Sequence, residues 1–173
     1  MTALAGLVAI LIVATLVWVF SVKHRDASIA DVCWGSGFVL LAWLYCVVSP
    51  MPTARSWLVV ALTTLWGARL SLHIFRRNRG KGEDPRYQAM RSAHGASFWW
   101  RSLFIVFWLQ GVLLWVVALP LLVAVRASRP TAFTALDGLG IVLFTVGFAF
   151  EVVGDYQLAR FKADPAHRGE VLD

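Results

Sequence analysis

The sequence predicts an all-α fold, a polytopic membrane helix bundle of about five transmembrane helices. Three observations carry that expectation. Of the 173 residues, 59% are hydrophobic and only 15% are charged, against about 25% charged in a typical soluble domain. The mean hydropathy is +0.69. The apolar residues are gathered into runs of about 20, the length that crosses a bilayer as a helix. The length suits a single membrane domain over residues 1–173 with no separate soluble one,.

The first run extends from about Ala3 to Phe20, with no charge before Lys23. A signal peptide carries a positive region ahead of its apolar stretch. None stands here, so a retained helix is expected. The second run, about Ile29 to Val48, stops at Ser49-Pro50-Met51-Pro52. The third covers Trp57 to Phe75. The fourth covers Phe98 to Val125, with Pro120 marking a kink or an end,. The fifth runs from about Leu136 to Phe161 and turns polar in its last third.

The net charge is +6. A nucleic-acid partner is rejected, because the basic residues sit in connections between runs, where the positive-inside rule places them. Lys23, Arg25, the connection Arg76–Arg101 and the tail residues Arg160, Lys162 and Arg168 give twelve cations on one side. Arg55, Arg126 and Arg129 give three on the other. The Arg76–Arg101 loop and the C-terminal tail are therefore expected in the cytoplasm and the N-terminus outside. Trp57, Trp99 and Trp100 stand at the ends of runs, where indoles anchor at the headgroups,. Cys33 and Cys46 form no metal or redox spacing and read as packed or lipid-facing thiols,.

Polar groups in or beside the runs carry the functional signal, because an ionisable group at the bilayer centre costs at least ~2.5 kcal/mol. Glu151, Asp155 and Lys162 fall within about 40° of one helical face,. Trp66, Arg69, His73 and Arg76 recur at spacings of three, four and three, again one face,. Asp31 opens the second run, followed by Trp34, Gly35 and Gly37. Between the third and fourth runs lies a dense polar block, Arg76-Arg77-Asn78-Arg79-Gly80-Lys81-Gly82-Glu83-Asp84-Pro85-Arg86-Tyr87. Two or three cations would satisfy the positive-inside rule. The excess suits an anionic ligand held at the membrane surface, since Arg forks match phosphate oxygens. The soluble nucleotide fingerprints G-x-G-x-x-G and G-x-x-x-x-G-K-[ST] are absent from the sequence,.

Four blocks in this order resemble one family: Asp31-x-x-Trp34-Gly35, Trp66-Gly67-Ala68-Arg69-Leu70, Gly80-Lys81-Gly82-Glu83-Asp84-Pro85-Arg86-Tyr87, and Glu151-x-x-Gly154-Asp155-x-Gln157-Leu158-x-x-Phe161-Lys162. The combination is similar to the steroid 5-alpha-reductase-like membrane proteins, in particular their broad bacterial branch, and the resemblance covers nearly the whole chain. It implies a protein of the bacterial inner membrane, a bundle of about seven helices in full-length relatives, and NADPH at the cytoplasmic side. It places Asp155 and Lys162 on the helix lining the cofactor, with Glu151 at the position of the family's asparagine and, with Asp31 and Tyr87, a catalytic candidate. It sets Arg69, Arg76, Arg77, Arg79 and Arg86 toward the phosphates. The implied reaction adds hydride to the β carbon of a lipophilic C=C conjugated to a carbonyl. A donor must polarise that carbonyl, and Tyr87, His73 and Asp31 are the candidates, because the third run lacks the tyrosine the family places there. The resemblance also implies that two more spans and an Arg-His-Pro-Asn-Tyr motif follow the point where this chain stops, so a C-terminally shortened domain is expected. The alternatives are an isoprenylcysteine carboxyl methyltransferase-like enzyme using S-adenosylmethionine, and a non-catalytic membrane protein. The partners expected are a lipophilic small molecule and the lipid bilayer, with the oligomeric state left open.

Overall fold

The computed structural model describes residues 1–127 and 132–164. Arg129, Arg168 and the stretch through Asp173 lie outside the described residues. The chain divides into two compact units, Met1–Ala132 and Phe133–Asp173.

The first unit holds α1 (Thr2–His24), α2 (Ile29–Val47), α3 (Ala54–Asn78), α4 (Pro85–His94), α5 (Phe98–Ser102), α6 (Leu109–Val117) and α7 (Leu119–Arg126). A 3₁₀ turn, Gly95–Ser97, joins α4 to α5, and a π-helical turn, Leu103–Trp108, joins α5 to α6. The second unit is built on α8 (Ala135–Ala163). No strand occurs among the described residues. Five helical stretches are long and apolar enough to cross a membrane: α1, α2, α3, the run Pro85–Arg126 and α8. The all-α membrane bundle expected from composition is the fold found.

On α1, Leu4, Val8, Ile12, Leu16 and Val19 lie exposed along one side. A continuous apolar strip of this kind is stable against lipid rather than water. The helix stops at Arg25, whose φ of 53° is left-handed. There the Asp26 N–H donates to the Ser21 carbonyl at 3.1 Å and the Arg25 N–H to that of Val22 at 3.3 Å, covering the last carbonyls of the helix,. The sharp turn brings Ala27 and Ser28 directly into α2.

The most extensive packing joins α2 to α3. Gly35 and Gly67 meet backbone to backbone, and a Cβ on Gly67 would stand 2.5 Å from the Gly35 carbonyl oxygen. Small residues permit such close crossings in membranes, where packing rather than water expulsion drives association. Around the crossing Phe38 meets Trp66 edge-on at 5.5 Å. The Ser36 N–H donates to Ser71 Oγ at 2.9 Å. Further along, Leu41, Ala42, Tyr45 and Cys46 of α2 pack with Val60, Leu114, Ala118 and Val125 into the main core.

Pro120 follows a break at Ala118 and sits at the second position of α7, where its missing N–H has no helical partner to lose,. The far end of α7 is fastened to α3 by the buried Ser56 hydroxyl, which donates to the Val125 carbonyl at 2.6 Å. The same hydroxyl takes part in the Thr53 capping box. Ser56→Ala is expected to cost about 1–2 kcal/mol, the sum of a lost cap and a lost buried bond. Thermal unfolding in detergent measures it, and an unchanged midpoint would show that neither bond contributes.

Trp57, Trp99 and Trp100 are exposed, as headgroup anchors are. Other tryptophans bond within the unit. Trp18 donates to the Trp99 carbonyl at 2.9 Å, Trp108 to Thr15 Oγ1 at 3.0 Å and Trp115 to the Ala3 carbonyl at 2.8 Å, so three indoles join α1 to the fourth run. In the second unit, Asp137 accepts from the Thr134 N–H at 2.7 Å and from its hydroxyl at 2.8 Å, fixing the start of α8.

Candidate functional site

The polar block between the third and fourth runs is more ordered than a loop. α3 continues through Asn78, and α4 begins at Pro85, so only Arg79–Asp84 is non-helical. Asp84 caps α4, accepting the Arg86 N–H at 2.9 Å, with Pro85 at the first helical position,. Gly80 and Gly82 take φ of 77° and 74°, which glycine adopts without the strain a side chain would bring,.

This short connection is docked onto the turn between α1 and α2. Glu83 accepts Arg91 through a two-pronged pair, Nη2 to Oε1 at 2.7 Å and Nε to Oε2 at 2.9 Å, and takes the Ala27 N–H at 2.8 Å. Burial alone would raise the Glu83 carboxyl. The Arg91 fork and the Ala27 N–H outweigh that and hold it below the ordinary carboxylate value,. The Asp84 N–H donates to Ser28 Oγ at 2.7 Å. The Asp84 carboxyl is also held low, chiefly by its hydrogen bond from the Arg86 side chain.

From this anchor a chain of side chains leads into the bundle. Arg86 donates through Nη2 to Asp31 Oδ2 at 2.7 Å and through Nε to Asp84 Oδ1 at 2.9 Å. The buried Tyr87 hydroxyl donates to Asp31 Oδ1 at 2.6 Å. Gln110 Nε2 donates to the Tyr87 oxygen at 2.9 Å, and the Trp34 indole donates to Gln110 Oε1 at 2.7 Å. Three elements supply the chain: α2, α4 with its cap, and α6.

Gln110 is also in the wall of an apolar cleft of about 270 Å³ between α1, α2 and the π turn with α6. Ile10, Val17, Leu40, Phe107 and Leu114 give it a hydrocarbon lining, with Cys33 and Trp34 near Gln110. A smaller, more polar cavity of about 190 Å³ is lined by Ser28, Arg79, Gly80 and Gly82. Asn78 borders it, and the Asn78 Nδ2 is buried without a hydrogen-bond partner.

A family model described as a protein of unknown function, DUF1295, matches residues 17–173. The chain belongs to the DUF1295 family. This DUF1295 chain is 30% identical over 161 residues to the uncharacterized protein C594.04c of Schizosaccharomyces pombe. The match covers 88% of this chain and 46% of that relative, so the chain spans about half of its length. No solved structure matches.

The DUF1295 chain thus brings together Asp31, Arg86 and Tyr87 among the residues singled out from sequence. Arg86, expected beside phosphates, is paired with Asp31 and Asp84. Arg76, Arg77 and Arg79 are exposed at the end of α3, and Arg77 Nε reaches Asn78 Oδ1 at 3.3 Å. Arg69 and His73 lie partly buried two turns and one turn before them. Glu151, Asp155 and Lys162 are on α8, in the second unit. Sequence reasoning missed Gln110, Glu83 and Asn78. The start of α4 was not read from the sequence either, although Asp84 caps it and Pro85 takes its first helical position,.

Proposed function

We propose that this chain is a membrane-embedded, NADPH-dependent reductase acting on a lipophilic C=C conjugated to a carbonyl. One observation carries the reading: an apolar cleft whose single amide-bearing wall residue is wired to a charged anchor beside the basic end of α3. An apolar chamber selects a lipophilic molecule, and a few convergent polar groups orient it. The motif resemblance supplies the reaction class.

The cofactor fits the residues present. Asn78, whose Nδ2 has no partner, and Arg79 both border the smaller cavity, and both carry donors of the kind phosphate oxygens need,. Arg76, Arg77 and Arg79 would hold phosphates there, with Arg69 behind them. Arg86 is assigned to the anchor instead. Asp155, Lys162 and Glu151 enter the proposal on the motif resemblance alone. Bound NADPH would supply a hydride for the β carbon, while a proton goes to the α carbon. The chain's own part is to exclude water with the cleft's apolar lining and to orient the carbonyl from the wall that Asp31 and Tyr87 support. The proposed placement has the basic end of α3 in the cytoplasm and the N-terminus outside.

Purified protein in detergent is expected to melt several degrees higher in saturating NADPH, since a ligand at 100 times its Kd adds about 2.7 kcal/mol. Arg79→Ala and Asp155→Ala should abolish the shift. A shift with S-adenosylmethionine and none with NADPH would replace this reading by the methyltransferase-like one, because that cofactor has no phosphates for the arginines to meet.

A further inference from the structure

The direction of each hydrogen bond at the cleft wall is fixed by chemistry. An indole N–H can only donate, so the Gln110 amide turns its oxygen to Trp34 at 2.7 Å,. Its NH₂ group must then face Tyr87, whose oxygen accepts at 2.9 Å. Asp31, paired with Arg86 at 2.7 Å, is an acceptor through both oxygens, so the Tyr87 proton points to Asp31,. The Tyr87 hydrogen is committed away from the cleft, and Tyr87 does not line it. The other polar wall groups are also accounted for. The Trp34 N–H is on Gln110, and Ser36 Oγ is 2.9 Å from Ser71 Oγ. Cys33 offers only a weak thiol donor. The second hydrogen of the Gln110 amide is the strong donor left without a protein partner beside the Trp34 indole, while the Ser36 hydroxyl is engaged with Ser71, where either oxygen can donate.

We infer that Gln110 is the specificity-determining residue of the cleft: it takes an apolar ligand carrying one carbonyl oxygen and binds that oxygen through its free amide N–H. Trp34, Tyr87 and Asp31 are positioning residues that hold the amide in the donating orientation. This rests on the cleft being the substrate chamber, but not on the cofactor. Reversing the amide would present an oxygen to the ligand and reject carbonyls, so the Trp34 indole decides which ligands are admitted.

The test uses two probes differing in one group, an alkyl-substituted cyclohexenone and the matching alkylcyclohexene. Their binding to the detergent-solubilised chain is followed by tryptophan fluorescence, without nucleotide. The wild-type chain is expected to prefer the enone by about threefold to tenfold, the worth of one neutral hydrogen bond. Gln110→Leu should erase that preference while keeping its affinity for the alkene. Trp34→Phe, which leaves Gln110 in place but frees its amide to turn, should reduce the preference by about half. Retained alkene binding shows that the variants fold. A Gln110→Leu chain that still prefers the enone overturns the inference, as does a wild-type chain that binds neither probe. Failure of the NADPH shift alongside a normal enone preference would sink the reductase reading and leave the role of Gln110 standing.

Discussion

Gly67→Ala is expected to lose at least about 3 kcal/mol of stability in detergent, the upper part of the range for overpacking a core. The added Cβ would lie 2.5 Å from the Gly35 carbonyl oxygen and 2.7 Å from Val39 Cγ2. The first neighbour is backbone and has no rotamer in which to retreat. α2 and α3 must separate, which draws Phe38 away from Trp66 and Ser36 away from Ser71. Gly111→Ala is the matched control. Its Cβ would meet Ala14 and Leu11 at 3.6 Å, ordinary van der Waals contact. Replacing a mid-helix glycine there should be neutral or slightly stabilising, because alanine is the better helix former. Thermal midpoints of the two variants decide the matter. Equal midpoints would show that the α2–α3 crossing is not the close contact described.

Glu83→Gln is expected to cost about 2 kcal/mol at neutral pH. Removing one partner of a buried ion pair costs about 3–5 kcal/mol. Here the Glu83 side chain is 9% exposed but that of Arg91 is 36% exposed, so solvent screens the pair and the cost falls below that range,. The pH dependence has a definite sign. The Glu83 carboxyl is held below its ordinary value of 4.5 in the folded chain. Its stabilisation is therefore complete above about pH 4.5 and is lost as pH falls through the lower folded-state value. Glu83→Gln should flatten the stability curve in that acid window and lower it uniformly above. A variant whose loss is the same at pH 3 and pH 7 would remove Glu83 from the account.

The spans were legible because hydrocarbon thickness sets a length that few other constraints mimic. Asp31 was legible because an acid at the start of an apolar run is costly enough to demand a partner. Which partner it has was not legible. Arg86 and Tyr87 lie 55 and 56 residues away, and only the turn at Arg25 with the docked Glu83 brings them together. Gln110 escaped notice because a neutral amide inside an apolar run breaks no charge rule. Arg86 was read as phosphate-facing, since a one-dimensional count does not reveal that Asp31 and Asp84 claim it. Gly67 drew attention as part of a motif, while its role as the contact point of two helices emerges only when Gly35 is opposite it.

The indole bonds to α1 bear on the order of biosynthesis. Their donors and acceptors are separated by 81, 93 and 112 residues. At typical synthesis rates of about 5–20 residues per second, α1 enters the bilayer roughly four to twenty seconds before those bonds can form. The ribosome thus delivers the first wall of the cleft early and the opposite wall, with Gln110, late. Until then Thr15 Oγ1 lacks the Trp108 donor that it later accepts, although its own hydrogen already has a partner within α1 in the Leu11 carbonyl at 2.8 Å.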